Sequence, residues 1–210
     1  MDVLFVIMSD ILAFVGELKK EMLMVYGEAG SGKTTLALQL ALSCVDGNKK
    51  VLYFDTEAGF SLERFRQMTG DKWAEKLDDI ILVKIADFQE QYDKVASFVP
   101  LANKFRLIVV DTIGHHYRGE VRKDAQAANK VMDRQMRLLF EMSKHAPVIL
   151  TNQVYSNVEN NSITSVGGKM ILKWCQKVIE LQKKPRIIYA RKPEEKQSLF
   201  NIVDNGLVFN

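Results

Sequence analysis

The sequence has few of the residues that mark linkers, metal sites or disulfide frameworks. It contains 4 prolines, 2 cysteines and 3 histidines among 210 residues. It has no internal repeat or low-complexity tract, and we expect a mobile loop only in the polar stretch 157–164. We therefore predict one domain over residues 1–210, with a single substantial core.

The two cysteines, Cys44 and Cys175, are far apart, and neither has a second Cys or His at metal-ligand spacing. We interpret them as buried free thiols, which suits a reducing cytoplasm. The apolar run 3–8 is too short for a membrane helix, and Asp2 precedes it instead of a basic stretch. We therefore expect a cytoplasmic protein with no signal peptide, no membrane anchor and no membrane partner.

The charge is small in total and uneven along the chain. The formal net charge is only +3, which by itself does not mark a nucleic-acid binder. Residues 169–196, however, contain nine basic and three acidic side chains. A solvated lysine-rich face explains this segment as well as a partner does, so a partner has to be argued from other features.

Apolar segments of strand length alternate with helical segments over the first two thirds of the chain. We predict strands at 21–26, 50–56, 80–83, 105–111 and 148–151, and helices at 9–20, 32–45, 61–68, 88–98 and 125–145. Ser9 or Asp10 is the expected cap of the first helix, and Ser61 that of the third. Strands that are apolar throughout and alternate with helices form a parallel sheet covered on both faces.

The last third of the chain has a different pattern. Short runs at 177–181, 186–190 and 199–203 leave no room for helical crossovers, so tight hairpins must join them. The predicted fold class is therefore α/β, with a mostly parallel twisted sheet, helices on both faces and a C-terminal antiparallel extension.

A complete phosphate-binding motif lies between the first predicted strand and the second predicted helix. Residues 27–34, GEAGSGKT, match G-x-x-x-x-G-K-[ST] at every fixed position. In such a loop the backbone N–H groups and the helix N-terminus surround the phosphates, and the lysine reaches the terminal ones. A chance glycine-rich turn is the alternative, which the flanking elements disfavour. The predicted ATP-binding residues are Gly27, Glu28, Ala29, Gly30, Ser31, Gly32, Lys33, Thr34 and Thr35.

Two carboxylates are candidates to complete this site. Asp111 ends the apolar strand 105–111, and with the Thr34 hydroxyl we expect it to hold Mg²⁺. Glu57 follows the strand 50–56, where parallel-sheet chemistry is sited, and is the candidate catalytic residue beside Lys33, because hydrolysis needs a group that orients water. The alternatives are a turn cap for Asp111 and a solvated turn residue for Glu57. Asp55 competes with Glu57 for the catalytic role, but it lies within the strand, and we interpret it as a structural residue or as one that supports the site residues.

Several segments resemble the RecA/RadA recombinase superfamily. They are GEAGSGKT, YFDTE with Glu63-Arg64 after it, LIVVDT with HHYR, DRQ at 133–135 and TNQV at 151–154, in the order of archaeal RadA-type cores. The resemblance runs from about Gly27 to the C-terminus. Short chains with a bare core and no preceding helical DNA-binding domain resemble RadB, the archaeal paralogue group of RadA, and we expect the same single RecA-like domain over residues 1–210. The resemblance implies a RecA-type P-loop core and a role in DNA repair and homologous recombination.

The resemblance also implies roles for individual residues. Gln153 is expected to act as the γ-phosphate sensor that opens the second DNA-binding loop, with a polar strand cap as the alternative. Residues 118–129 correspond to the first DNA-facing loop, and because they are unlike the glycine-rich version of strand-exchange enzymes we do not expect strand exchange. The candidate DNA contacts, for phosphates or for base stacking, are Arg118, Arg122, Lys123 and Tyr155. Tyr117 is a further candidate for base stacking, but for both tyrosines we favour the alternative of a packing residue with a solvated hydroxyl. We interpret His115 and His116 as turn or packing residues.

Two functional hypotheses follow. In the first, the chain is an accessory or mediator protein with a weak ATPase that binds single-stranded or branched DNA without base readout. In the second, it is a nucleotide-switched adaptor that docks on a RadA-type recombinase or a structure-specific nuclease without useful hydrolysis, so its status as an enzyme is open. A homodimer is a further possible assembly. A metabolic P-loop kinase is a more remote third hypothesis, because no lid and no arginine-rich acceptor pocket is evident.

Overall fold

A computed structural model describes residues 3–45, 47–157, 162–165 and 167–209, without the side chains of 3–8, 155–157 and 162–165. The strands are β1 Met22–Gly27, β2 Lys50–Asp55, β3 Ile80–Lys84, β4 Phe105–Asp111, β5 Val148–Asn157, β6 Ser162–Ser165, β7 Lys177–Leu181, β8 Ile187–Lys192, β9 Lys196–Val203 and β10 Gly206–Phe209. The helices are α1 Val3–Val15, α2 Lys33–Ser43, α3 Leu62–Thr69, α4 Trp73–Asp78, α5 Phe88–Phe98, α6 His115–Lys123, α7 Ala125–Ser143 and α8 Gly168–Leu172.

The strands form a ten-stranded sheet in the order β10-β9-β8-β7-β1-β5-β4-β2-β3, with β6 paired to the outer part of β5. The pairs among β3, β2, β4, β5, β1 and β7 are parallel. The pairs among β7, β8, β9 and β10 are antiparallel. This is the RecA-like arrangement predicted from the sequence, with its antiparallel extension at the C-terminus.

The central strands are buried on both faces, which explains why they are apolar throughout. In β1, Met22 and Met24 belong to one core, and Leu23 and Val25 belong to the other. Successive strand residues point to opposite faces, so each face needs its own helical cover. Helices α5, α7 and α8 cover the first face, and α1, α2 and α3 cover the second.

Each predicted helix or strand is confirmed as an element of that type. Both bounds differ by several residues only for the first helix, at the N-terminus. The helix predicted at 9–20 is α1, Val3–Val15, so Ser9 and Asp10 lie inside it instead of capping it. The apolar run 3–8 extends the helix backwards, and Gly16, with a φ of 80°, ends it. The Ser61 cap is confirmed, because its side chain accepts a hydrogen bond from the Arg64 N–H.

Regular structure is found in two segments that were expected to be loops. The first DNA-facing loop, 118–129, is instead the end of α6 and the beginning of α7. The polar stretch 157–164 was expected to be mobile, but its described ends belong to a β5–β6 hairpin, while residues 158–161 lie outside the described part of the chain. Cys175 is buried, as predicted, whereas Cys44 is partly exposed because it follows α2 at the amino edge of the sheet.

Candidate nucleotide-binding site

The phosphate-binding loop runs from the end of β1 to the beginning of α2, at the carboxyl edge of the sheet. Gly30 and Gly32 have φ values of 74° and 107°, which favour glycine. A Cβ on Gly27 would lie 2.3 Å from the carbonyl oxygen of Leu181 on the neighbouring β7. The glycines at these positions therefore allow the backbone to fold tightly at the start of α2, where its N–H groups are available to an anion.

Lys33 is buried inside this loop. Its Nζ donates a 2.8 Å hydrogen bond to the carbonyl oxygen of Glu28. Burial lowers the pKa of Lys33, and the carboxylates of Asp111 and Glu57 act in the opposite direction. The Ser31 hydroxyl is also buried, and its oxygen has no hydrogen-bond partner among the described residues. A cation and an orphaned hydroxyl in one loop fit the oxygens of a phosphate chain.

Asp111, at the end of β4, is buried among hydroxyl groups. Tyr53 donates to its Oδ2 at 2.7 Å, and Thr151 donates to Oδ1. Thr34 of the phosphate-binding loop also hydrogen-bonds to this carboxylate. Burial raises the pKa of Asp111, while the three hydroxyl groups oppose that rise. The sequence prediction that Thr34 and Asp111 meet at one point agrees with this geometry.

The donor set suits Mg²⁺ that arrives with a nucleotide. Among the described residues, no three His, Cys, Asp or Glu side chains converge to form a metal cage. Mg²⁺ commonly uses one or two carboxylates together with substrate phosphates and water. The Asp111 carboxylate and the Thr34 hydroxyl are oxygen donors of that kind, so the residues present fit this cation.

Glu57 lies immediately beyond β2, with its carboxylate turned towards the same edge of the sheet. Thr112 Oγ1 donates to its Oε1 at 2.7 Å. Gln153 Nε2 lies 3.2 and 3.1 Å from its two oxygens, and His115 Nδ1 lies 3.4 Å from Oε1. The adjacent strands β2, β4 and β5 thus bring together groups that are far apart in sequence.

Gln153 connects this carboxylate to helix α6. Its Oε1 accepts a 3.0 Å hydrogen bond from the Arg118 guanidinium. Burial lowers the pKa of Arg118, and the Glu57 carboxylate opposes that shift. Glu57, Gln153 and Arg118 therefore form one hydrogen-bonded chain from the phosphate-binding edge to a basic helix.

A cavity of about 300 Å³ lies in front of the loop, bordered by Lys33, Thr34, Glu57, Gln153 and also Ile202. Ile202, from β9, was not predicted as a site residue, although the resemblance to archaeal RadA-type proteins extends through β9 to the C-terminus. A Cβ on Gly32 would lie 2.9 Å from Ile202 Cδ1, so β9 packs directly on the loop. Arg186 also reaches the loop, 3.5 Å from the carbonyl oxygens of Gly30 and Ser31.

The candidate DNA contacts have different surroundings. Arg122 and Lys123 are exposed on α6, and Lys123 pairs with Glu120 at 2.8 Å. Arg118 is partly buried in the chain described above. The side chain of Tyr155 lies outside the described part of the structure.

The remaining residues singled out from the sequence have structural contacts. Tyr117 is a packing residue, as predicted, because it is buried, bonds to Asn129 and packs against Phe88. Asp55 is structural, also as predicted, since its carboxylate accepts from the N–H groups of Gly59 and Phe60. His115 was interpreted as a turn or packing residue, yet it lies beside Glu57.

The comparisons with known proteins agree with this architecture. The Rad51 family profile matches residues 10–208. The DNA repair and recombination protein RadB of Methanococcoides burtonii is 34% identical over 164 residues, which cover 76% of this chain and 72% of that protein. The RadB protein of Thermococcus sibiricus is 32% identical over 194 residues, which cover 87% and 84%. The crystal structure of a RadB recombinase has a TM-score of 0.75 and 32% identity, and covers 95% and 94%.

These similarities extend along almost the whole chain. No helix within the described residues is long and apolar enough to cross a membrane. Proteins of the matched family bind ATP together with Mg²⁺, and DNA binding is typical of them. The chain belongs to the Rad51 family, as a RadB-type member of the RecA superfamily with a role in DNA repair and recombination.

Proposed function

We propose that this chain is an ATP-binding accessory or mediator protein of recombination, in which one RecA-like domain, residues 1–210, binds DNA and hydrolyses ATP weakly. The observation that carries the proposal is the hydrogen-bonded chain from Glu57 through Gln153 to Arg118. It connects the nucleotide cavity to helix α6, which also carries Arg122 and Lys123. A change at Glu57 when nucleotide binds is therefore transmitted through these hydrogen bonds to the basic surface of α6.

Each residue of the cavity has a role in this proposal. The backbone of residues 27–35 and Lys33 bind the phosphates, and Thr34 and Asp111 hold Mg²⁺, which neutralises charge on the phosphates when bound. Glu57 orients the attacking water and Gln153 senses the terminal phosphate. Thr112, Gln153 and His115 all contact Oε1 of the Glu57 carboxylate and hold its orientation. A carboxylate held in this way by protein groups supports slow turnover.

The surface near α6 supports DNA binding without base readout. Arg122 and Lys123 are exposed cations that suit phosphate contacts, which carry no sequence information. Single-stranded or branched DNA is the proposed ligand, with Tyr155 as a stacking residue. The helical conformation of residues 118–123 replaces the expected loop, which supports a protein that does not exchange strands. Its proposed location is the reducing cytoplasm, where both thiols persist.

A second candidate function uses the same cavity as a switch. Here ATP sets the shape of the protein, which docks on a RadA-type recombinase or a structure-specific nuclease, or pairs with a second copy, without useful hydrolysis. The engaged state of Glu57 favours this candidate as well. Replacing Glu57 by Gln should leave DNA repair in cells intact if the switch is correct, and a repair defect from that change would count against it.

The deciding experiment is ATP hydrolysis by the purified protein with and without single-stranded DNA, beside Lys33→Ala. We expect low turnover that depends on Lys33, with ATP binding measured separately by fluorescent-nucleotide titration. Strong stimulation by DNA would identify a working recombinase motor and contradict the accessory role. Loss of ATP binding in Lys33→Ala with an unchanged circular dichroism spectrum would locate the nucleotide in the proposed loop.

A further inference from the structure

A second, larger cavity lies at the amino edge of the sheet, away from the nucleotide site. Its volume is about 760 Å³. Lys49 precedes β2, Phe105 begins β4 and Pro147 precedes β5, so the cavity faces the starts of these strands. The phosphate-binding loop follows the carboxyl end of β1, at the other edge. A ligand in this second cavity would therefore leave the nucleotide site open.

The lining combines an apolar floor with a basic rim. Phe105 and Ala146 are buried, and Leu18 is partly buried, which gives the floor its apolar character. The rim carries four cations from three segments of the chain: Lys19, Lys20, Lys49 and Arg106. All four are exposed, and among the described residues that line the cavity Glu17 is the one acidic side chain. The charge of this rim favours an anionic ligand with apolar side chains.

The surrounding elements disfavour two other anions. Helices α2 and α7 end at Ser43 and Ser143. Cys44, directly after α2, and His145, two residues after α7, line the cavity. Helix C-termini carry partial negative charge, which opposes a compact dianion such as phosphate. Proteins that bind single-stranded nucleic acid combine a basic groove with several aromatic side chains on which successive bases stack. Among the described lining residues, Phe105 is buried in the floor, which leaves the His145 ring as the one exposed stacking surface.

We propose that this cavity is a docking site for an acidic peptide segment of a partner protein, one that carries bulky apolar side chains between its carboxylates. The apolar side chains lie on the floor beside Leu18 and Phe105, and the carboxylates contact the rim cations. The site is independent of nucleotide chemistry, so Lys33→Ala should leave peptide affinity unchanged. An anionic partner also gives the complex a clear dependence on ionic strength.

The test uses a fluorescein-labelled synthetic peptide in which Leu and Phe alternate with Asp and Glu, titrated with the full chain by fluorescence anisotropy. The double variant Lys49→Glu/Arg106→Glu should weaken binding about tenfold or more, because it reverses two of the four rim charges. The matched control is Lys72→Glu/Lys130→Glu, which reverses two exposed charges outside the lining and should bind like the wild type. A peptide with Ser in place of Leu and Phe should also bind more weakly.

The reactivity of a cysteine in the lining can report whether this cavity is occupied. Cys44 lines the cavity and is partly exposed, whereas Cys175 is buried and burial raises its pKa to about 12. A thiol reagent should therefore modify Cys44 first, and the peptide should slow that reaction severalfold while inorganic phosphate and oligothymidine do not. Absence of peptide binding, equal affinity in the rim variant, or protection of Cys44 by oligothymidine or phosphate would overturn the proposal.

Discussion

Asp111 is a buried carboxylate at the nucleotide site, and its negative charge has opposite effects on the stability of the fold and on ligand binding. Asp111 is 3% exposed, and its burial raises its pKa above the ordinary value for an aspartate. A raised pKa in the folded state means that folding is favoured while the group is protonated. That contribution is fully present below the unfolded-state pKa and is lost as pH rises through the folded-state pKa. Ligand binding, in contrast, needs the charged form.

We predict that Asp111→Asn stabilises the nucleotide-free protein near neutral pH while it weakens Mg²⁺-ATP binding. The hydroxyls of Tyr53 and Thr151 can rotate to bond the amide, so the main change is removal of a buried charge. The gain should be roughly 1 kcal/mol in the free energy of unfolding, and should shrink as pH falls towards the unfolded-state pKa.

Urea unfolding at several pH values measures this difference. Asp93→Asn, on the exposed side of α5, is the matched control and should stay within about 0.5 kcal/mol of the wild type. A destabilised Asp111→Asn protein at neutral pH would show that the hydrogen bonds of Asp111 outweigh its burial.

Gln153 is the residue through which the two ligands should affect each other. We predict that Gln153→Ala brings the ratio of DNA dissociation constants, measured with and without ATP, close to one, because it removes the bonds to both Glu57 and Arg118. Coupling between two sites is typically about 5–150-fold where it exists. Gln197→Ala, exposed on β9, is the control. An unchanged ratio in Gln153→Ala would mean that the coupling takes another route.

The C-terminal hairpin of β9 and β10 is the element that packs against the phosphate-binding loop. Gln39 of α2 is buried and holds β10, since its Nε2 donates to the Leu207 carbonyl at 3.1 Å and its Oε1 accepts from the Leu207 N–H at 2.8 Å. Through the hairpin, this contact also positions Ile202 against Gly32. A side chain in the middle of α2 thus fixes the wall of the nucleotide cavity.

We predict that Gln39→Ala destabilises the protein by about 2–4 kcal/mol, because it leaves two buried backbone groups without partners. It should also raise the dissociation constant for ATP, since Ile202 loses its fixed position. Thermal unfolding and nucleotide titration measure the two effects, with Gln89→Ala on the exposed face of α5 as the control. Normal stability in Gln39→Ala would show that the hairpin is held mainly by its apolar contacts.

The elements differ in how far the sequence predicts them, and burial explains the difference. Strand β4 and helix α5 were predicted with their observed bounds, because their apolar residues follow the period of each structure. Helix α6 was not, since HHYRGEVRK is polar, contains a glycine and buries only Tyr117. Its helical form depends on tertiary contacts, such as those of Tyr117 with Phe88 and Asn129, which no local pattern contains.

The site shows the same division between local motif and long-range contact. The phosphate-binding loop, Asp111 and Glu57 were found because a motif or a strand end marks them. Ile202 and Arg186 reach the loop only through the antiparallel extension, so their positions depend on how the whole sheet is ordered. Likewise, Glu57 follows β2 and His115 follows β4, so no spacing in the sequence predicts that these two side chains are in contact.

At the scale of the whole molecule, part of the basic excess in the last third of the chain is used in internal ion pairs. Lys173 pairs with Asp133, Lys177 with Glu21, and Arg191 with buried Glu180. Charges held in this way add less to DNA affinity than exposed ones, because they already neutralise a carboxylate. Lys123 of α6 also pairs with Glu120, so Arg122 should contribute the larger share of the electrostatic binding from this helix.

We predict that Arg122→Ala/Lys123→Ala weakens DNA binding for all sequences alike and reduces its dependence on salt. For single strands, the slope of log K against log salt should fall by about 0.7 for each phosphate that the variant no longer neutralises. Fluorescence anisotropy with oligothymidine and with a mixed-sequence strand, over a range of salt concentrations, measures both effects. Lys72→Ala/Lys130→Ala removes the same charge from exposed positions outside the candidate DNA contacts. Equal slopes in the two double variants would mean that net charge alone drives binding, and that α6 is not the DNA-binding surface.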